Sequence, residues 1–260
     1  MLTNLVYETL IKEVELTPKP GLVDKANSGS HKDMDIQTFY KSAQAIKPYI
    51  SQFLTCKSDF DKLREVGLEC EHAMFAVTNG INTHKGMIFS LAVICGAVGS
   101  VGHRDFALLQ QEIRVICKDL IQRDLGDIRE PKTHGERFFL QTKRGGIRAE
   151  AMAGYPSIFE KSLPFFMEKL QNHTEDEALK LTLLFLMRET NDSNLFARGG
   201  IEGLSYVQSE VKKYLHVKNL DDNLRKLDTL FIQKNLSPGG SADLLGLTYL
   251  LYRLKTLNYN

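Results

Sequence analysis

Asn79-Gly-Ile-Asn-Thr-His-Lys-Gly86, with the apolar run Met87 to Val101 behind it, decides how the rest of the chain is read. Met87, Ile88, Phe89, Leu91, Ala92, Val93, Ile94, Ala97, Val98 and Val101 leave a helix over this run no polar face, so it must be buried on all sides. The run falls short of the roughly 18 apolar residues a membrane span needs. Thr83 is a favourable N-cap, and Asn79-Gly80 marks a turn just before it. The buried helix therefore starts beside a loop carrying His84 and Lys85. Free backbone N–H groups, the positive end of the helix dipole and the lysine charge make that place attractive to an anion. The competing reading is a capped core helix whose His and Lys point to water, and the stretch itself balances the two.

The 260 residues suit one large domain or two small ones, and 43% hydrophobic residues are ample for a core. A formal charge of +1 gives no reason to expect nucleic acid or an acidic membrane surface. Glu8, Lys12 and Glu13 interrupt the apolar residues of the N-terminus, which does not read as a signal peptide. Cys56, Cys70, Cys95 and Cys117 form no Cys-x-x-Cys pair and are expected to be reduced thiols in a cytoplasmic protein.

Helical spacing of apolar residues predicts helices over Thr3–Leu16, over a segment from Ile36 that Pro48 kinks or divides, and from a Ser58-x-x-Asp61 capping box to Thr78. Further helices are expected over Asp105–Asp124, Thr133–Gln141, Ser157–Leu170 (bent at Pro164), and from the Thr174-x-x-Glu177 capping box to Arg188. The last are Ile201–Leu215, Leu220–Lys234 and a helix N-capped by Ser241. No stretch alternates with period 2 in β-branched residues. The expectation is an all-α fold, a single compact multi-helix domain over residues 1–260, with glycine-rich polar loops converging on one site.

Those loops are Thr17–Asp35, Asn79–Gly86, Thr133–Glu150, Asn191–Gly200 and Ser237–Asp243. Each mixes glycine, basic residues and carboxylates. Glycine permits close backbone approach to a ligand, Lys and Arg neutralise phosphate, and carboxylates among them fit a divalent ion bridging to phosphate oxygens. The combination points to a polyphosphate site. A P-loop, a dinucleotide-binding Gly-x-Gly-x-x-Gly and a Gly-x-Ser-x-Gly elbow are all missing from the sequence. Glu69-x-x-His72 has half-site spacing for a di-iron bundle but no second pair, and reads as structural. His103, His173 and His216 are expected to be solvated or capping.

The motifs Thr17-Pro-Lys-Pro-Gly-Leu-Val-Asp24, His31-Lys-Asp-Met-Asp35, Gly80-Ile-Asn-Thr-His-Lys-Gly86, Gly145-Gly-Ile-Arg-Ala-Glu150, Asp192-Ser-Asn194, Arg198-Gly-Gly200 and Ser237-Pro-Gly-Gly-Ser-Ala-Asp243 resemble the triphosphoribosyl-dephospho-coenzyme A synthase family. Each motif alone is weak; in this order over nearly the whole chain they are specific. Asp192-Ser-Asn194 departs mildly, Thr being as common there, and keeps the hydroxyl.

The resemblance implies transfer of the 5-triphosphoribosyl group of ATP to the 2′-hydroxyl of 3′-dephospho-coenzyme A, with release of adenine. The product would be the prosthetic-group precursor of citrate lyase, or of malonate decarboxylase, and the acyl carrier protein transferase would be a downstream partner. On this reading Asp33 and Asp35 are candidate Mg²⁺ ligands, with Lys19, His31, Lys32, Asn82, Thr83, His84 and Lys85 around the phosphates. Arg148 and Arg198 are candidates for the second phosphate-bearing substrate. Glu150, Asp192 and Asp243 are candidates for the base and for stabilising a ribosyl cation. Against these stand plain roles: Asp243 reinforcing a helix cap, Glu150 pairing with Arg148. The rival functions are an all-α metal-dependent ribosyl or nucleotide hydrolase and a non-catalytic nucleotide sensor.

Overall fold

The structure, a computed structural model, describes residues 1–215 and 217–257, and among them every regular element is a helix. His216, expected to be solvated or capping, lies outside the described residues. The elements are α1 (Leu2–Glu15), α2 (Ile36–Ile46), α3 (Tyr49–Cys56), α4 (Phe60–Val77), α5 (Lys85–Val101), α6 (Phe106–Ile116), α7 (Leu120–Leu125) and α8 (His134–Thr142). There follow α9 (Gly146–Met152), a π-helical turn Ser157–Ser162, α10 (Leu163–Lys169), α11 (Glu175–Glu189), α12 (Ser193–Glu210), a 3₁₀ turn Val211–Tyr214, α13 (Leu220–Gln233) and α14 (Gly239–Thr256).

Two helices form the axis of the molecule. α5 is buried from Met87 to Val98 save Phe89, as its unbroken apolar run requires, and packs against α3, α4, α6, α9 and α14. α14 buries most residues from Ser241 to Leu251 and packs against α1, α10, α11, α12 and α5. One hydrophobic cluster runs from Leu5 in α1 to Leu254 in α14. Each large apolar side chain removed from water in it contributes about 1.5–3 kcal/mol, which offsets the entropy of ordering the chain.

Several boundaries differ from the sequence reading, each for a local reason. Pro48 divides rather than kinks: α2 ends at Ile46 and α3 begins at Tyr49. The cap of α4 is Asp59, accepting from Lys62 N, while the Ser58 hydroxyl turns to Ser100 and Glu112. Asp119, at φ 59°, breaks the expected Asp105–Asp124 helix into α6 and α7, and Leu108 is left 43% exposed. Arg148, Glu150 and Arg198, expected on loops, sit on α9 and α12. The Thr174–Glu177 capping box is present as expected.

Gly21 shows why the Thr17–Asp35 segment is ordered. Its φ is +72°, and a β-carbon there would lie 2.3 Å from Leu236 O, so only glycine lets this loop lie against the turn before α14. Asp24 accepts from the N–H groups of Lys19, Ala26 and Asn27, and Asp228 of α13 accepts from Gly21 N and Asn27 Nδ2. Two buried carboxylates thus satisfy the loop's backbone donors and fix it to the helical body.

Candidate active site

The N-terminal ends of α5, α12 and α14 meet. Asp192, the N-cap of α12, accepts from Asn194 N and Leu195 N with one oxygen, and from Ser241 N (2.8 Å) and Ser241 Oγ (3.1 Å) with the other. It therefore ties two helix starts together. Burial pushes its carboxyl up, and these hydrogen bonds pull it back. The start of α14 is Gly239 behind Pro238, so Ser241 is not its N-cap; the serine hydroxyl serves Asp192 and Thr190.

Asp243 differs from Asp192 in having its carboxylate held by no hydrogen bond among the described residues. Its Oδ2 stands 2.6 Å from where a β-carbon on Gly86 would be, so it abuts the first turn of α5. Some of its surface reaches solvent, yet packed protein on most sides raises its carboxyl well above the ordinary range, and the charges of Glu13 and Asp192 push the same way. It is a part-exposed acid whose protonated form is favoured.

Behind it, Glu13 of α1 and Lys19 form an ion pair at 2.5 Å, with side chains 7% and 2% exposed. Lys19, expected around the phosphates, is thus a buried cation paired with Glu13. Lys85 is likewise paired, at 2.8 Å from Glu71.

Thr83 does not cap α5. The N-cap residue is His84, Asn82 Oδ1 accepts from Lys85 N, and Thr83 Oγ1 donates to Ser42 Oγ. His84 is buried, its Nδ1 lies 2.6 Å from Ser42 Oγ, and burial with the nearby Lys19 charge pushes its pKa down to about 3. The histidine expected to point to water or stand around the phosphates is buried, where its neutral form is favoured.

A second cluster gathers the Arg198 and His31 motifs. Arg198 donates to Ser30 O (2.8 Å), Asn235 Oδ1 (2.7 Å) and His31 Nδ1 (3.0 Å), all neutral. Since arginine only donates, His31 accepts at Nδ1 and donates from Nε2 to Ser237 Oγ at 2.8 Å. Burial and the Arg198 charge lower the His31 pKa, so the guanidinium remains the cation of the group. Asp33 reaches His31 only at 3.7 Å with its side chain 60% exposed, and Lys32 is exposed. Asp35 is spent on the N-cap of α2, sharing a capping box with Thr38.

The remaining candidates sit on α9. Arg148 pairs with Asp124 at 3.1 Å, and Glu150 accepts from Ser157 N and Oγ, not from Arg148. Tyr155 links this region to the helix starts. Its hydroxyl is buried without a partner, near Ser90 of α5, and the charges of both Glu150 and Asp243 are felt there. The structure thus gathers Asp192, Asp243 and Lys19 with Glu13, links Glu150 to them through Tyr155, and keeps Arg198, His31 and Asp33 as a separate neighbouring group. Glu69 and His72, read as structural, are exposed on α4.

Sequence reading missed Glu13, Ser42 and Tyr155. For Glu13 a signal existed: it sits in register with Val6, Thr9 and Leu10 on the buried stripe of α1, where a carboxylate needs a partner. Ser42 and Tyr155 carry no such mark, since their neighbours come from distant segments.

A family model described as CitG: ATP:dephospho-CoA triphosphoribosyl transferase matches residues 1–260. A Vibrio cholerae protein named "Probable 2-(5''-triphosphoribosyl)-3'-dephosphocoenzyme-A synthase" is 42% identical over 98% of this chain and 88% of its own length. A Pectobacterium atrosepticum protein named 2-(5''-triphosphoribosyl)-3'-dephosphocoenzyme-A synthase is 39% identical over 96% of this chain and 88% of its own. A Streptococcus mutans relative is 38% identical over 95% and 94% respectively. No solved structure matches the chain.

Proposed function

Because the chain belongs to the ATP:dephospho-CoA triphosphoribosyl transferase family, we propose that the meeting of the α5, α12 and α14 starts is where it transfers the triphosphoribosyl group of ATP to 3′-dephospho-coenzyme A. The observation that carries this placement is Asp243, an unpartnered carboxyl held against Gly86 among helix N-termini. In the reaction the bond from ribose C1′ to adenine breaks and one from C1′ to the acceptor 2′-oxygen forms. Adenine leaves with a proton, and the acceptor hydroxyl loses one. A single carboxyl can serve both needs. Asp243, protonated before reaction, donates to the departing base, and the resulting carboxylate then takes the proton of the incoming hydroxyl. Between these events its negative charge stabilises positive charge developing on the ribose. Asp192, filled by four hydrogen bonds, positions Ser241 and the start of α14.

The triphosphate is chemically untouched and needs only a cradle. The α5 start with Asn82, Thr83 and His84, and the Arg198–His31 group with Lys32, supply donors for it and for the phosphates of the acceptor. Arg198 is suited to phosphate because its existing partners are all neutral. Among the described residues no three His, Cys, Asp or Glu side chains gather to hold a metal by themselves. Mg²⁺ usually takes one or two carboxylates and leaves the rest to phosphate and water. The exposed Asp33 fits that pattern, with Asp35 nearby in sequence. Bound there, Mg²⁺ would neutralise triphosphate charge. The product would serve the acyl carrier protein of citrate lyase, its transferase being the partner; malonate decarboxylase is the alternative destination.

The test is adenine release from ATP and Mg²⁺, with and without 3′-dephospho-coenzyme A, for wild type and Asp243→Asn. Wild-type adenine only with acceptor, matched by a heavier coenzyme product, and loss in the variant support the reading. Adenine without acceptor would indicate a hydrolase. An Asp243→Asn protein as active as wild type would remove Asp243 from the chemistry.

A further inference from the structure

Ser42 in α2 and His84 at the start of α5 are joined in a way that fixes the state of the imidazole. Thr83 Oγ1 donates to Ser42 Oγ at 2.7 Å, and Ser42 Oγ lies 2.6 Å from His84 Nδ1. A serine hydroxyl has one hydrogen. With Thr83 donating into one lone pair, that hydrogen is free to face Nδ1, and in that arrangement the ring accepts there and carries its own hydrogen on Nε2. The Nε2 atom is buried and has no hydrogen-bond partner. Phe39 holds the ring edge-on, with centroids 5.0 Å apart, and the His84 backbone N–H is directed to Met74 Sδ at 3.4 Å. A donor fixed this firmly yet left without an acceptor is one that a ligand can complete.

We propose that Ser42 and Thr83 are positioning residues that lock His84 as its Nε2–H tautomer, and that this N–H donates to an anionic phosphate oxygen of the bound nucleotide. The inference rests on the reading above that the start of α5 takes the triphosphate. A neutral donor suits this place because no charge need be buried when the nucleotide is absent. Lys19, its charge paired with Glu13, lies in the same region. Because Nε2 is closed off from solvent, contact with the nucleotide goes with a local displacement of the side chains over it.

The test uses the full chain labelled with ¹⁵N, reading histidine ring couplings by NMR, with His84 assigned from the signal lost in His84→Gln. The expected result is an Nε2–H tautomer whose resonance moves on saturation with ATP. Ser42→Ala should give mixed tautomers and a KM for ATP raised about 10-fold, with kcat changed far less, as for loss of an aligned bond to a charged group. A thermal melt of Ser42→Ala and equilibrium dialysis with ATP accompany the spectra. An Nδ1–H tautomer, or an Nε2–H signal that stays still while dialysis shows ATP bound, overturns the proposal alone. No ATP bound to folded wild type overturns the triphosphate reading with it. If Ser42→Ala does not fold, the wild-type tautomer and its response to ATP still decide.

Discussion

The carboxylate of Asp243 and the α-carbon of Gly86 are in such close approach that a β-carbon at position 86 would lie 2.6 Å from Oδ2. The start of α5 and the first turns of α14 are therefore fitted to each other through a residue with no side chain. Gly86→Ala should displace Asp243 and not the helices, because a carboxylate rotates more readily than two packed backbones. We expect adenine release to fall about 100-fold, the scale of a misplaced reacting group, with a stability loss near roughly 1 kcal/mol. Steady-state kinetics alongside urea denaturation check this; equal losses in both would mean a packing role only.

The Glu13–Lys19 pair is buried on both sides, so removing one partner strands the other charge. Lys19→Met or Glu13→Gln alone should cost about 3–5 kcal/mol of folding free energy, and the double variant less than either single change. A double-mutant cycle by chemical denaturation measures the difference.

His84 and Asp243 give opposite pH signatures. The His84 pKa is lowered to about 3, so below the ordinary value near 6.5 the unfolded chain takes a proton that the folded chain refuses. Stability contributed by the neutral ring is whole above that value and is lost as pH falls toward 3, by about 5 kcal/mol in all. His84→Gln should flatten this limb of the profile. The Asp243 carboxyl is raised, so its contribution is whole below the ordinary carboxylate pKa and is lost as pH climbs through the folded one. Asp243→Asn should therefore gain stability over wild type as pH rises, read from denaturation midpoints between about pH 4 and 9.

Arg198 uses its fork to hold three neutral groups at once. Lysine keeps the charge and loses that geometry. Arg198→Lys should raise the KM for one of the two phosphate-bearing substrates about 10–100-fold, as for a lost charge-assisted bond, and lower the melting temperature by a few degrees as Ser30, Asn235 and His31 lose their donor. Separate titrations of ATP and 3′-dephospho-coenzyme A identify which.

Asp35 caps α2, whereas the Asp33 side chain is exposed and takes no part in a cap. Asn caps as well as Asp, so Asp35→Asn should keep stability while Asp35→Ala loses about 1 kcal/mol. If Asp35 also faces Mg²⁺, activity at limiting Mg²⁺ falls in both. An Asp35→Asn enzyme with unaltered Mg²⁺ dependence would leave Asp33 as the sole protein ligand of the pair.

The helical class and the position of α5 were legible because each is local. An apolar run without a polar face can only be a buried helix, and Thr174-Glu177 caps its own helix within one turn. Where the sequence reading erred, two neighbouring residues competed for one role: Asp59 outcompeted Ser58 as a cap, and His84 replaced Thr83 because the Thr83 hydroxyl found Ser42 from α2. Which cations are free was not legible either. Lys19 and Lys85 look like phosphate ligands in the chain and are paired with Glu13 and Glu71, while Arg198 hydrogen-bonds only neutral groups, with the Asp33 charge nearby. By itself the sequence determined the all-helical fold and the inventory of acids, bases and glycines, since helix period and turn chemistry act over a few residues. Tertiary structure alone decided which acid is unpartnered and which histidine is neutral, because burial and long-range pairing depend on what distant segments bring to the same point.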